Sequence, residues 1–157
     1  MDDSHDRLAR QIDFILELDR LKTVVRASYL LHEDRRENSA EHSWHVAMLA
    51  MVLAEHADGP VDGARVARML MVHDVVEIDA GDASVYDEAA RIGQAKKEGA
   101  AAARIFGLLP EDQGHELHAL WQEFEAGETP DARFGQAIDR LMPLLHNLEG
   151  GGRSWKE

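Results

Sequence analysis

The 157-residue sequence contains no cysteine, which excludes disulfide bonds, thiolate metal sites and thiol catalysis. It also has no apolar run near the roughly 18 residues that a membrane-spanning helix requires. Cations are scarce, since 17 Lys and Arg face 30 Asp and Glu for a net charge of −13. Because long nucleic acids are bound largely through cationic contacts to phosphates, a nucleic-acid polymer is not an expected partner. A small anionic substrate fits if a metal ion and a few arginines supply local positive charge.

The remaining composition is that of a globular protein. Hydrophobic residues make up 45% of the chain and charged residues 30%, and the length suits one domain with a substantial core. We therefore expect a single domain over residues 1–157, with a flexible tail from about residue 150, where three glycines follow one another. The segment Met1–Asp6 is polar and acidic, unlike a signal peptide, and we expect a cytoplasmic protein.

Apolar residues recur at helical spacing, which predicts an all-α bundle of about six to seven helices. No strand pattern and no internal repeat is recognisable. The predicted helices cover residues 6–22, 40–57, 62–77, 87–106, 111–126 and 130–148, with a short turn or helix and then a charged loop over 24–38. Ser39, Asp62 and Thr129 are the predicted N-caps. Pro143 predicts a kink in the last helix, because proline cannot donate the hydrogen bond that continues a helix.

The most informative stretch is His73-Asp74-Val75-Val76-Glu77-Ile78-Asp79-Ala80-Gly81-Asp82, which follows an apolar run over 66–72. A histidine and an aspartate at the end of such a run are costly to bury unless something pairs with them. Neutral imidazole and carboxylate are ligands that a borderline or hard divalent metal accepts. Glu77 follows His73 by one helical turn and would share its face. Gly81 permits a sharp exit that leaves Asp82 beside the site.

Two further residues point to the same chemistry. His42 faces inward from the first turn of its predicted helix, and Asp139 lies within an apolar helix. Together with His73 and Asp74 they would hold one divalent ion, with positions left open for water or substrate. Taken singly, His42 could be a hydrogen-bonded core residue, Asp139 the partner of an arginine, and Glu77 a solvated helix end. Their combination favours a metal site.

We assign no metal-binding role to the other histidines and no substrate-binding role to the tryptophans. The pairs His42/His45 and His115/His118 could bind metal by themselves, but neither comes with an acidic partner in register. We interpret His45, His115 and His118 as surface or supporting residues. Trp44 and Trp121 are expected in the core.

The four candidate ligands reproduce the H…HD…D signature of the HD-domain metal-dependent phosphohydrolases. Arg36-Glu37-Asn38-Ser39-Ala40-Glu41-His42-Ser43 and His73-Asp74-x-x-Glu77-Ile78-x-x-Gly81-Asp82 resemble the 5′-deoxynucleotidase branch of that family, the YfbR-like and HDDC2-like proteins. Leu108-Leu109-Pro110-Glu111-Asp112 and the segment around Leu120-Trp121-x-Glu123-Phe124-Glu125 are also similar to HDDC2-like members. The likeness spans nearly the whole chain.

The resemblance implies an all-α bundle, usually a homodimer, with one divalent ion per chain. Its ligands would be the residues that match the signature, namely His42, His73, Asp74 and Asp139. The ion could be Mn²⁺, Co²⁺, Fe²⁺, Ni²⁺, Zn²⁺ or Mg²⁺. The residues themselves support a dimer through spare apolar side chains such as Leu30, Leu31, Leu108 and Leu109. Family members often continue past the point where this chain stops, so we expect either a short member or a trimmed chain.

The implied activity is hydrolysis of deoxyribonucleoside 5′-monophosphates to deoxynucleoside and phosphate. By matching position, Glu77 would be the acid/base residue, Asp82 would contact the sugar and Arg26 the phosphate. Arg35 and Arg36 stand in reserve as further phosphate ligands. The sequence departs from the well-studied branch where Ala27 replaces the tryptophan that follows the arginine, and the spacing from Arg26 to His42 is one residue longer.

Two alternatives stay open. One is another HD-type reaction, on cyclic nucleotides, dNTP or ppGpp. A single His-Asp site argues against a two-metal phosphodiesterase. The small number of basic residues argues against triphosphate and tetraphosphate substrates. The other alternative is a non-catalytic nucleotide or metal sensor, which the intact Glu77 disfavours.

Overall fold

The computed structural model describes residues 3–82 and 93–156. The helices, in chain order, are α1 Asp3–Leu18, α2 Ser39–Leu53, α3 Gly63–Val72, α4 Glu77–Ala80, α5 Gln94–Phe106, α6 Glu111–Ala126 and α7 Pro130–Glu149. Short 3₁₀ helices cover Asp19–Thr23, Ala54–His56 and Arg153–Trp155. The predicted all-α fold is confirmed. The predicted start of the fifth helix, near residue 87, lies outside the described residues. In the described ranges, no helix is both long enough and apolar enough to span a membrane.

A small antiparallel hairpin lies in the segment that was expected to form a turn or helix and a loop. Strand β1 is Val25–Tyr29 and β2 is Arg36–Asn38, with Val25 opposite Asn38 and Tyr29 opposite Arg36. The expectation of no strands was wrong here, because strands this short show too little alternation to be recognised. The hairpin matters for the site, since its two strands carry Arg26 and Glu37.

Helix α2 begins one residue before its predicted start. Its N-cap is Asn38, whose side chain accepts a hydrogen bond from the Glu41 N–H, while the Glu41 carboxylate accepts one from the Asn38 N–H. This reciprocal capping box satisfies two backbone donors at once. Ser39 is therefore the first helical residue and not the cap, which leaves its hydroxyl free for another partner. The predicted caps Asp62 and Thr129 are confirmed.

Helix α3 ends at Val72, earlier than predicted. The chain then passes through tight turns over residues 73–76, where the Glu77 N–H donates to the Asp74 carbonyl at 3.0 Å. The short helix α4 follows and ends at Gly81, whose φ of +76° provides the predicted sharp exit. The sequence suggested that His73 and Glu77 share one helix. In the structure the turns over residues 73–76 separate them.

The core lies mainly between α2, α3, α6 and α7, with α5 packed beside it. The predicted burial of Trp121 and Phe124 is confirmed. Trp44 is 59% exposed, so its predicted core position was wrong. Leu109, expected to be spare for an interface, is 5% exposed and belongs to the core. Polar residues interrupt this core where α2, the end of α3 and α7 meet, and there the candidate site lies.

Pro143 lies inside α7, and the helix continues on both sides of it. The predicted kink at Pro143 stays a prediction. Beyond α7, the Ser154 hydroxyl donates to the Asn147 side chain at 2.7 Å, and the Arg153 guanidinium lies 2.5 Å from Asp34. The C-terminal segment therefore packs against the end of α7 and the loop between the strands.

Candidate metal centre and active site

Two histidines from separate helices form the base of the site. His42, on the first turn of α2, is fully buried, and its Nε2 lies 2.8 Å from Asp139 Oδ1 on α7. His73 follows α3, and its Nδ1 lies 2.7 Å from the Leu70 carbonyl. Because a carbonyl can only accept, Nδ1 must carry the proton, which leaves the Nε2 lone pair of neutral His73 for another partner. That Nε2 lies 3.0 Å from Asp74 Oδ1 and 3.5 Å from Asp139 Oδ1.

The four residues of the predicted ligand set come together. The ligand atoms of His42, His73 and Asp139 all lie within 4.8 Å of one another, and Asp74 Oδ2 is 4.0 Å from His42 Nε2. His73 Nε2 is buried and makes no hydrogen bond of acceptable geometry to any described residue. A buried imidazole nitrogen left unpaired beside two carboxylates fits a divalent cation, since two imidazoles and two carboxylates form a usual nitrogen–oxygen donor set.

The electrostatics of the cluster also favour a cation. Burial lowers the pKa of His73, but Asp74 and Asp139 outweigh burial and raise that pKa to about 9. Burial likewise lowers the pKa of His42, but the nearby carboxylates of Asp139 and Glu37 outweigh burial and raise that pKa. Burial raises the pKa of Asp139, but the nearby imidazoles of His42 and His73 outweigh burial and hold that pKa far below the ordinary value. The carboxylates therefore attract positive charge, which protons or a metal ion can supply.

Glu77 lies next to this cluster but has different partners. Its Oε2 accepts a hydrogen bond from the Ser39 hydroxyl at 2.5 Å, and its Oε1 lies 3.7 Å from the Arg26 guanidinium. Burial raises the pKa of Glu77, and the negative charge of Asp74 raises it further, against the opposing effect of Arg26. A carboxyl group whose pKa is raised in this way can hold and release a proton near neutral pH.

Arg26 brings one positive charge to the site from β1. Its side chain is 13% exposed, and one guanidinium nitrogen donates to Asp74 Oδ2 at 2.7 Å. Asp82, one residue past the Gly81 turn, is half-buried. Burial raises the pKa of Asp82, while the nearby charge of Arg26 lowers it. The structure thus places Arg26 and Asp82 beside Glu77.

The other two arginines of this region have separate surroundings. Arg36 is exposed, and its guanidinium carbon lies 5.3 Å from the centroid of the Tyr29 ring. It precedes the buried Glu37 on β2, so the two side chains leave opposite faces of the strand. Arg35 forms a paired contact with Glu41, 2.6 Å at its shorter distance. These positions favour Arg26 as the arginine nearest the candidate centre.

Sequence reasoning missed Glu37 as a member of the site. Its side chain is 1% exposed, and its Oε2 lies 3.2 Å from His42 Nδ1. A carboxylate at that nitrogen fixes the ring so that Nε2 faces the cluster, as is usual for metal-binding histidines. The missed signal was an acidic residue close before His42, on a strand and not at a helical spacing.

Comparison with known proteins gives the family of the chain. Residues 18–157 match the family model described as HD domain. The chain is 30% identical to "5′-deoxynucleotidase HDDC2" from Homo sapiens, over 88% of this chain and 67% of that protein. It is 32% identical to "5′-deoxynucleotidase PM0747" from Pasteurella multocida, over 91% of this chain and 78% of that protein.

Solved structures agree in fold. A crystal structure described as a predicted metal-dependent phosphohydrolase from Magnetospirillum magnetotacticum MS-1 has a TM-score of 0.93 and 56% sequence identity, covering 99% of this chain and 78% of that one. A conserved hypothetical protein from Pyrococcus furiosus has a TM-score of 0.65 at 22% identity, over 83% of this chain and 78% of that one, a likeness of fold alone.

Proposed function

Because this chain belongs to the HD-domain family, in its 5′-deoxynucleotidase branch, we propose that it removes the 5′-phosphate from deoxyribonucleoside 5′-monophosphates. The family makes it a metal-dependent nucleotide phosphohydrolase acting on phosphoric monoesters. The observation that carries the proposal is the convergence of His42, His73, Asp74 and Asp139 on one point, with Glu77 beside them.

The ligands of the catalytic ion are proposed to be His42, His73, Asp74 and Asp139. The unpaired Nε2 of His73 and the short distances among these side chains support this set. A divalent ion held there would supply Lewis acidity toward a phosphoryl oxygen and toward water. Two imidazoles with two carboxylates suit Mn²⁺, Fe²⁺, Co²⁺, Ni²⁺ or Zn²⁺ better than Mg²⁺, which prefers oxygen ligands.

Glu77 is proposed as the acid/base residue. The Ser39 hydroxyl holds one of its oxygens, which fixes the direction of the carboxyl group. In that position Glu77 can accept a proton from the attacking water or return one to the leaving 5′-alkoxide. Because burial raises its pKa, both protonation states are within reach near neutral pH.

The substrate contacts are proposed to come from Arg26 and Asp82. Arg26 donates to Asp74 in the structure, and phosphate oxygens would offer the same guanidinium a bidentate partner. Asp82 would accept a hydrogen bond from the sugar 3′-hydroxyl. Arg36 stays a weaker prediction, since its side chain packs on Tyr29 at the surface.

We also propose that the chain forms a homodimer. Trp44, Met48, Met51 and Val52 are 42–65% exposed and lie along one face of α2. Apolar residues contiguous on a surface often mark a protein–protein interface. Of the leucines that the sequence suggested for an interface, Leu109 is buried and Leu31 is 42% exposed. A cytoplasmic location stays a prediction.

The direct test is phosphate release from a panel of nucleotides, with each divalent metal supplied in turn. We expect release from dNMP with a suitable metal, little release from NMP or 3′-phosphates, and none after chelation. Hydrolysis of dNTP, cyclic nucleotides or ppGpp without hydrolysis of dNMP would assign the chain to another HD-type reaction. Tight metal binding without any release would favour a sensor.

A further inference from the structure

A second group of metal-ligating side chains lies on the far side of His42 from the candidate active site. Glu37 on β2, His45 on α2 and His146 on α7 each offer one ligand atom, and these atoms all lie within 4.8 Å of one another. Glu37 is 1% exposed and His146 is 6% exposed. The ring centroids of His45 and His146 are 5.8 Å apart. Three elements distant in sequence thus bring two imidazoles and one carboxylate together.

The group contains polar atoms without partners. His146 Nδ1 is buried and makes no hydrogen bond with the described residues. The buried Glu37 Oε2 has contacts with His42 Nδ1 at 3.2 Å and Arg26 Nε at 3.8 Å, neither with the geometry of a hydrogen bond. Burying such atoms unpaired is unfavourable, so buried unpaired polar atoms are uncommon. Burial also lowers the pKa of His146, which keeps its imidazole in the neutral form that binds metals. These orphaned atoms indicate that a ligand completes the group.

We propose that Glu37, His45 and His146 form a second site for a divalent transition-metal ion. Two imidazole nitrogens and one carboxylate suit an ion of intermediate softness such as Zn²⁺, Co²⁺ or Ni²⁺, and they leave coordination positions open. The site shares no ligand with the set His42, His73, Asp74 and Asp139. It does not depend on the proposed phosphatase activity.

One member of this group, His146, borders a surface cavity. His146 lines a cavity of about 310 Å³ between the β1–β2 loop and the end of α7. Other residues lining this cavity are Tyr29, His32, Asp34, Asn147 and Arg153. No member of the first ligand set lines it, so His146 borders a cavity that is separate from the active site.

The two sites are linked through Glu37. Its Oε2 lies 3.2 Å from His42 Nδ1 and 3.8 Å from the Arg26 Nε. This one carboxylate therefore contacts a proposed metal ligand and the proposed phosphate-binding arginine. An ion at the second site would draw negative charge away from Glu37 and weaken its hold on His42. Because coupling between binding sites is reciprocal, filling either site then changes the affinity of the other.

The test is metal stoichiometry after equilibrium dialysis against Zn²⁺ or Co²⁺, read by elemental analysis. We expect two ions per wild-type chain, one per chain in His146→Gln and in His45→Gln, and two in the control His115→Gln, which alters an exposed histidine on α6. Asp139→Asn should lose the first ion and keep the second. One ion per wild-type chain, unchanged in His146→Gln, would overturn the proposal and leave these residues as support for His42.

A diffraction measurement on the wild-type protein tests the second site without any variant. Wild-type crystals soaked in Zn²⁺ should show, at the zinc absorption edge, an anomalous peak among Glu37, His45 and His146 in addition to the peak at the first site. A single peak, at the first site, would refute the second site even if His146→Gln failed to fold. His45 is partly exposed, so His45→Gln is the variant better placed to keep the fold.

Discussion

The Ser39 hydroxyl donates a hydrogen bond to Glu77 Oε2 at 2.5 Å, and this contact joins the first turn of α2 to the residue proposed as acid/base. Ser39 is fully buried and is not needed as the helix cap, because Asn38 fills that role. The same short helix start therefore holds Glu77 through Ser39 and presents His42 to the metal centre.

Ser39→Ala should lower turnover about tenfold with metal content unchanged, since a hydrogen bond to a charged group is commonly about 1.5–3 kcal/mol. The Ser39 hydrogen bond lowers the pKa of Glu77, so its loss should raise that pKa. If Glu77 acts as base, the acidic limb of the pH–rate profile should move to higher pH. The control is Ser43→Ala, one turn along α2, where the buried hydroxyl has no partner among the described residues. Equal profiles for the two variants would argue against the role of Ser39.

Asp82→Ala should reduce kcat/KM for dNMP, because the proposed contact to the 3′-hydroxyl is lost. It should also narrow the preference for dNMP over NMP, because the sugar is then no longer held where a 2′-hydroxyl would be crowded. The expected loss is about 10- to 100-fold, as for removal of a charged hydrogen-bond partner. Metal content should stay at the wild-type value, since Asp82 is not a proposed ligand. Kinetics with matched deoxy- and ribonucleotides measure both quantities. An unchanged preference would exclude Asp82 from sugar recognition.

Arg65 holds α3 against α6 through a paired contact with Glu123, with nitrogen–oxygen distances of 2.5 and 2.8 Å. The hydrogen bonds from Arg65 and Thr129 lower the pKa of Glu123 to about 2. A lowered carboxyl pKa means that the stabilisation is fully present above the ordinary pKa near 4.5 and is lost as the pH falls toward 2.

Glu123→Gln should therefore lower the free energy of unfolding at pH 7 by about 1–2 kcal/mol, after allowance for solvent screening of the half-exposed pair. The difference from the wild type should shrink between pH 4.5 and 2, as measured by urea unfolding. The control is Glu116→Gln, on α6 like Glu123. It removes an exposed ion pair with Arg68 of α3 and should change stability little. A Glu123→Gln effect independent of pH would contradict this account.

Val52→Glu should dissociate the proposed homodimer, because a charge is introduced into the apolar face of α2. Light scattering should give a dimer mass for the wild type at tens of micromolar and a monomer mass for the variant. Leu8→Glu changes an equally exposed apolar residue on α1 and should leave the dimer intact. A wild-type monomer would refute the dimer.

The helical part of the fold could be predicted because it depends on local signals. Caps such as Asp62 and Thr129 lie next to the helices that they start. The β1–β2 hairpin was missed because strands of five and three residues carry no readable period. Trp44 was placed wrongly because an apolar side chain on a helix does not reveal whether it faces the core or an exposed surface.

The candidate site was predictable to the extent that its residues disturb an apolar pattern. His42, His73 and Asp139 are polar residues on otherwise apolar helix faces, and their convergence was expected. Glu37 and His146 gave no such signal, because the strand, helix and loop contacts that join them are set by tertiary packing. No spacing rule links residues more than a hundred positions apart in the chain.

The central claim is that Asp139 holds the metal and that Glu77 carries out proton transfer. Glu77→Gln and Asp139→Asn both keep the side-chain volume and remove a charge, so they form a matched pair. The most direct measurement is the rate of phosphate release divided by metal bound at the first site, for each variant and the wild type. In Glu77→Gln we predict first-site metal near the wild-type value and turnover lower by about 10²-fold or more. In Asp139→Asn, metal and turnover should fall together. Loss of the metal in Glu77→Gln, or near-normal turnover with the metal bound, would contradict the account.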